Sequence, residues 1–316
     1  MEDMPLLLED FLVYIETIKG KSPNTAKEYY FDLRTFFRFL KIRYRLVDKD
    51  TPFDDIDILD IDESIIRKVN LQDLYAFISF VDRNRDNKNY AKARKVASIR
   101  SFFKFLHSKL KVIDENPALE LESPKTNTRH PVYLSLNEAE RLLDAIEGPF
   151  KERDYAIITL FLNCGLRLSE LVSIDIDKIK GDILTVIGKG DKERTIYLNE
   201  ACLYAIEKYL KVRPTEGLKD PNALFISKRK NRISDKTVQY LVKKYIQSAG
   251  LNTEKYSTHK LRHTAATLMY KYGNVDIRAL QQILGHENVS TTQIYTHVDD
   301  ERLRSAVKSN PLSSRD

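Results

Sequence analysis

Residues Glu122 to Pro131, E-S-P-K-T-N-T-R-H-P, carry two prolines, no aliphatic side chain and neither a helical nor a strand period. Such a stretch cannot enter a hydrophobic core, so the apolar patterns on its two sides must be buried separately. The chain therefore divides into residues 1–121, a linker at 122–131 and residues 132–316, each flank long enough for its own core. The first part reads as an all-α helical bundle. The second reads as mainly α with a small β-hairpin or sheet, an α+β domain.

In the first part, helical periodicity runs over 5–17 and 23–41, the latter opened by Ser22 as N-cap with Pro23 in the first helical position. Tyr29, Leu33, Phe36, Phe37 and Leu40 form its apolar stripe. From Val47 to Ser64 the pattern breaks into an acidic stretch, expected as a long connection with room for one short helix. Helices are expected again at 71–83 and 88–110. The last of these sets a stripe of Val96, Ile99, Phe102, Phe103 and Leu106 among Lys88, Lys92, Arg94, Lys95 and Arg100. A solvated face explains such cations; their crowding without acids also suits phosphate contact.

Beyond the linker, Ser135 and Glu138 form a capping box for a helix to about 146, and an Ile- and Leu-rich helix at 152–163 stops at Gly165. D-I-L-T-V-I at 182–187 and R-T-I-Y-L at 194–198 are β-branched and partly alternating, and G-K-G-D-K-E between them makes a hairpin with Lys189 and Lys192 at its tip. The remainder is expected to be helical, at 200–211, 234–249, 258–272, 276–284 and 290–296, with a tail helix near 299–308.

Net charge is +6 and the pI about 9.0. Between Asp48 and Glu63 there are eight acids and one lysine, so the rest of the chain is more basic than the total shows. A basic body with an acidic insert points to a polyanionic partner, above all nucleic acid. The only cysteines, Cys164 and Cys202, sit in apolar helical patterns as buried, reduced thiols, which excludes a disulfide framework. The N-terminus opens M-E-D-M, without the positive charge of a signal peptide, and no apolar run reaches the roughly 18 residues of a membrane span. A cytoplasmic location without membrane association follows.

Polar chemistry gathers late in the chain, in T-H-K-L-R-H at 258–263, L-G-H at 284–286 and Y-T-H at 295–297. His259, Arg262 and His263 share one helical face at i, i+3 and i+4, with Leu261, Ala265, Leu268 and Met269 on the other. His286 follows Gly285 at a helix end. Ser290 and Gln293 box a short helix bearing Tyr295. Upstream, C-G-L-R-L-S-E-L sets Arg167 just after a helix-ending glycine, where it can be aimed into a cleft. Two arginines can grip the non-bridging oxygens of one phosphate. His259 and His263 also have the spacing of a metal-ligand pair, but no Glu stands between them and no third ligand lies at a supporting interval. G-K-G-D-K lacks the length and following helix of a nucleotide-binding loop.

C-G-L-R-L-S-E-L, the G-K-G-D-K hairpin, H-K-L-R-H, L-G-H and I-Y-T-H, in this order, resemble the tyrosine recombinase (phage integrase) family, especially its bacterial Xer branch. S-P-N-T-A-K-E-Y-Y-F-D-L-R-T-F-F-R-F-L resembles that family's N-terminal core-binding domain, and the acidic stretch around 46–65 is the departure from the pattern. The resemblance implies a site-specific recombinase in which Tyr295 attacks a DNA phosphate, forming a 3′-phosphotyrosyl link. Arg167 and Arg262 would hold the phosphate, His259 and His286 would serve hydrogen bonding and proton transfer, and Lys189 would be general acid. Glu170 would orient Arg167. Lys92, Arg94, Lys95, Arg100 and Lys192 would contact DNA. No cofactor or metal is implied. Double-stranded DNA would be the partner, clamped by the two domains, with a homo- or hetero-tetramer built on two DNA sites through the tail helix. Chromosome or plasmid dimer resolution and mobile-element integration share this chemistry. A non-cutting DNA-binding regulator and a metal-dependent phosphoesterase are the readings of other classes.

Overall fold

A computed structural model of the chain describes residues 4–85, 89–124, 131–188, 193–273, 275–285 and 290–293. The chain forms two compact units, 1–128 and 129–316. In the first, α1 (Leu6–Val13) runs into a π-turn at Tyr14–Ile18, and α2 (Pro23–Arg43) starts where the Ser22 hydroxyl accepts the Thr25 N–H at 3.3 Å. The short α3 (Glu63–Ile66), α4 (Leu71–Asn84) and α5 (Asn89–Phe105) follow, α5 ending in a second π-turn at Leu106–Leu110. Leu33, Phe36, Phe37 and Leu40 of α2 are fully buried against Val96, Ile99, Phe102 and Phe103 of α5. Tyr29, the outermost of the expected stripe, is only partly buried. With no tryptophan in the chain, phenylalanines fill this core edge to face, Phe36 on Phe77 at 5.1 Å and Phe11 on Phe102 at 5.4 Å.

The acidic stretch is not a loose connection. Ile56, Ile58 and Ile61 are buried, and acids beside them pair with α2. Arg38 donates to the Ile56 carbonyl at 3.0 Å and pairs with Asp54, which also meets Arg85; Lys41 meets both Asp60 oxygens at 2.8 Å. A 3₁₀ turn at Phe53–Asp55 and α3 are its regular pieces.

In the second unit, α6 (Leu136–Asp144) carries the expected box, the Ser135 N–H donating to Glu138 at 2.8 Å. Next, α7 (Lys151–Cys164) is buried almost all round, as a central helix must be, and is followed by α8 (Leu168–Val172). Strands β1 (Ile179–Lys180), β2 (Ile183–Ile187) and β3 (Glu193–Tyr197) make an antiparallel sheet in that order. The expected hairpin is thus extended by one short strand. Leu184, Val186 and Ile196 face inward, with Leu184 opposite Ile196. Helices α9 (Glu200–Val212), α10 (Asp235–Ser248), α11 (Thr258–Tyr272), α12 (Ile277–Leu284) and α13 (Ser290–Gln293) complete the described residues.

Helix α7 packs on α9 and α11. At the α9 contact the Cys164 and Cys202 sulfurs lie 3.6 Å apart as free, buried thiols. The hydrogen bond that Cys164 gives to Cys202 and the loss of hydration push the Cys164 thiol up. Among the described residues no helix is long and apolar enough to cross a membrane.

Candidate active site

Two helix ends, one short helix and one strand meet around a single carboxylate. Helix α7 closes on Gly165 at φ +59° and α12 on Gly285 at φ +61°, left-handed positions where glycine ends a helix at no steric cost. Space demands glycine as well. A Cβ on Gly165 would lie 2.9 Å from a Leu284 methyl, and one on Gly285 would lie 2.8 Å from Arg194 Cδ. The carbonyls exposed at these ends carry the negative pole of each helix and receive guanidinium groups.

Arg167 is the N-cap residue of α8. Its Nη2 donates to the Gly285 carbonyl at 2.8 Å and its Nη1 to Glu170 Oε1 at 2.6 Å, while its backbone N–H donates to Glu170 Oε2 at 2.7 Å. Among the described residues these side-chain bonds occupy two of the five N–H donors of a guanidinium. The side chain keeps 32% of its surface exposed, so the remaining donors can meet a ligand from solvent. Arg262 lies deeper, 4% exposed, its Nη1 on the Gly165 carbonyl at 2.7 Å and its Nη2 on the Leu284 carbonyl at 2.6 Å.

The shared helical face expected for His259, Arg262 and His263 is therefore divided. Helix α11 is buried at Leu261, Arg262, Thr264, Ala265, Ala266 and Thr267, and of the three polar residues His259 alone is exposed, its ring edge to face with His263 at 4.6 Å. Partial loss of hydration, then the charges of Lys260, Arg262 and Arg167, lower the His259 pKa below its ordinary value. Lys189, Lys192, His286 and Tyr295 lie outside the described residues, as do the last turn expected for the helix at 290–296 and the whole tail helix.

Sequence reading missed Arg194. On β3 it shares the inward face with Ile196, its Nε 3.1 Å from Glu170 Oε1 and its Nη2 2.8 Å from Oε2; Nη1 donates to the Ile283 carbonyl. An arginine at an inward strand position was the available signal, since a buried guanidinium needs a carboxylate. Glu170, 1% exposed, would be raised by burial, but Arg194 first and Arg167 next hold it below the usual carboxylate range. Three guanidiniums around one carboxylate leave the cluster positive, a setting for an anion.

The proposed DNA contacts of the first unit separate in the same way. Lys95 is buried with Nζ 2.7 Å from Asp32, so its charge is spent inside the domain and not offered to a phosphate. Arg94 binds Asp32 at 3.0 Å and also meets Glu28, and Lys92 is paired with Asp82. Arg100 is exposed and lines a cleft with Lys19, Lys21, Arg67, Lys104 and Lys109, set against Asp114, Glu115 and Glu120. Its 1610 Å³ exceeds the ~300–1,000 Å³ of small-molecule pockets.

Residues 133–302 match the Phage integrase family, and the chain belongs to that family, the tyrosine recombinases, enzymes that cleave and rejoin DNA strands without metal or ATP. Within it the chain is a site-specific recombinase of Xer type. It is 66% identical to tyrosine recombinase XerC of Caldanaerobacter subterraneus subsp. tengcongensis over 309 residues, covering 98% of this chain and 88% of that protein. It is 36% identical to XerD of Proteus mirabilis, covering 96% and 92%. The crystal structure of XerA recombinase matches at a TM-score of 0.51 and 30% identity over 96% of each chain. XerH bound to palindromic difH, a post-cleavage complex, matches in fold at 0.71 and 20% identity over 96% of this chain and 84% of that one.

Proposed function

We propose that Tyr295 is the nucleophile, that Arg167 and Arg262 bind the scissile phosphate, and that Lys189 is the general acid. The observation that carries this is the cluster around Glu170, in which Arg167 is held at two guanidinium nitrogens yet keeps 32% of its side-chain surface exposed. Preorganised cations of this kind stabilise the charge that grows on a pentacovalent phosphorus. In the forward step the Tyr295 oxygen bonds to phosphorus as the bond to the 5′-oxygen breaks. The tyrosine proton passes to His259 or His286, and Lys189 protonates the leaving oxygen. A His259 held below its ordinary pKa is neutral near pH 7 and able to accept. Because a phosphodiester becomes a phosphotyrosine of similar energy, the freed hydroxyl of a partner strand can reverse the attack.

The same reading makes residues 1–121 a DNA-binding domain. Its basic cleft takes backbone phosphates through Arg100, Lys19, Lys21, Arg67, Lys104 and Lys109. The active assembly is a tetramer on two DNA sites, acting in the cytoplasm, and the biological task is resolution of chromosome dimers, supported by the identity to XerC and XerD. A suicide DNA substrate tests the chemistry: the parent enzyme traps a covalent adduct, Tyr295→Phe traps none, and an adduct with Tyr295→Phe would end the assignment. Selection of bound genomic fragments tests the task. A single palindromic chromosomal site is expected, and recovery of mobile-element ends instead would overturn it.

A further inference from the structure

We propose that Arg194 is a positioning residue for strand cleavage, an inference that rests on the phosphate-binding role given above to Arg167. The Glu170 carboxylate accepts four hydrogen bonds, two from Arg167 and two from the Arg194 fork, which fills its acceptor sites. Arg194 therefore neutralises much of the negative charge that faces Arg167. Without it, Arg167 would be, among the described residues, the one arginine within hydrogen-bonding distance of a carboxylate 1% exposed, since Arg262 stands 3.9 Å away. A buried anion of that kind competes with a phosphate for the same guanidinium. With Arg194 in place, Glu170 orients Arg167 without consuming its charge.

Arg194 also joins elements that are distant in sequence. Its third nitrogen binds the Ile283 carbonyl, and its Cδ crosses the space that a side chain at Gly285 would fill. Strand β3 is thereby fixed to the last turn of α12, the turn whose Gly285 carbonyl holds Arg167. In the sequence Lys189 precedes β3 and His286 follows α12, so one guanidinium ties together the two described elements next to these residues.

The test is the single-turnover rate of covalent adduct formation on a suicide DNA substrate. It is measured at saturating enzyme and at a temperature where circular dichroism shows each variant fully folded. Arg194→Ala is expected to slow the step about 10²-fold. Arg194→Lys, which keeps the charge but not the fork, should fall between it and the parent. The discriminating variant is Arg194→Ala combined with Glu170→Gln. Removing the stranded carboxylate should recover about tenfold over Arg194→Ala, a non-additive gain that loss of packing alone would not give. A parent rate in Arg194→Ala, or a double variant no faster than Arg194→Ala, overturns the proposal. Tyr295→Phe separates the two levels. If it still forms the adduct, the underlying reading fails; if it forms none while Arg194→Ala keeps the parent rate, only the role of Arg194 fails.

Discussion

Alanine at Gly165 should cost far more than alanine at Gly181, although both glycines have nearly the same backbone, φ +59° and +62°. At Gly181 nothing lies within 4 Å of an added Cβ, so the change carries only the left-handed term, about 1–2 kcal/mol. At Gly165 the Cβ meets a Leu284 methyl at 2.9 Å and Ala265 Cβ at 3.6 Å. Leu284 is fully buried and has nowhere to swing, which adds roughly 1–3 kcal/mol of overpacking. The total for Gly165→Ala is then about 2–5 kcal/mol. Hydrogen exchange of the full chain, read on peptides from α7, α11 and α12, converts each ~1.4 kcal/mol into about tenfold faster exchange. Because Leu284 also supplies a carbonyl to Arg262, adduct formation should fall in Gly165→Ala and hold in Gly181→Ala. Equal losses of protection in the two variants would refute the steric argument.

Protonation of His259 gives a second handle. Its folded pKa is depressed, so the unfolded chain binds the proton more readily, and stability is full above the ordinary imidazole value of about 6.5 and falls as pH drops below it. Thermal melts over this range should show a shallower acid loss in His259→Gln, and an unchanged slope would sink the claim. For the first unit, Lys95→Met should destabilise by less than the ~3–5 kcal/mol of a buried charge left unpaired, because Arg94 still meets Asp32, while leaving the salt dependence of DNA affinity unchanged. Arg100→Ala should do the reverse, flattening the slope of log affinity on log salt by about 0.9 at little cost in stability. A changed salt slope in Lys95→Met, or an unchanged one in Arg100→Ala, would contradict the burial difference between them.

Much of the scaffold was legible because local rules determine it. Ser22 with Pro23, the Ser135–Glu138 box and Gly165 mark helix ends through bonds made within a few residues, and the Phe36, Phe37, Phe102 and Phe103 stripes follow from the helical period. What stayed hidden depends on long-range partners. The stretch at 47–64 read as a long connection because the burial of Ile56, Ile58 and Ile61 goes with Arg38 and Lys41 pairing with acids in the same run, Asp54 and Asp60. Lys95 looked like its neighbour Arg100 until Asp32, 63 residues away, claimed its charge. At the site, Arg167 and Arg262 were readable as a pair of cations and Glu170 as the partner of Arg167, but the main-chain carbonyls that hold both arginines were not. Arg194 is named by its contacts with Glu170, and those depend on how β3 lies against α8 and α12.

The acceptors that hold Arg167 and Arg262 have a consequence for how this site can vary. Among the described residues they include, besides Glu170, the main-chain carbonyls of Gly165, Leu284 and Gly285, groups that every amino acid carries. No side-chain replacement at those three positions deletes an acceptor. Substitution there reaches the arginines only by bending the chain. The grip is thus written mostly in backbone shape, and the alphabet it requires is short: two glycines, one glutamate and the arginines themselves.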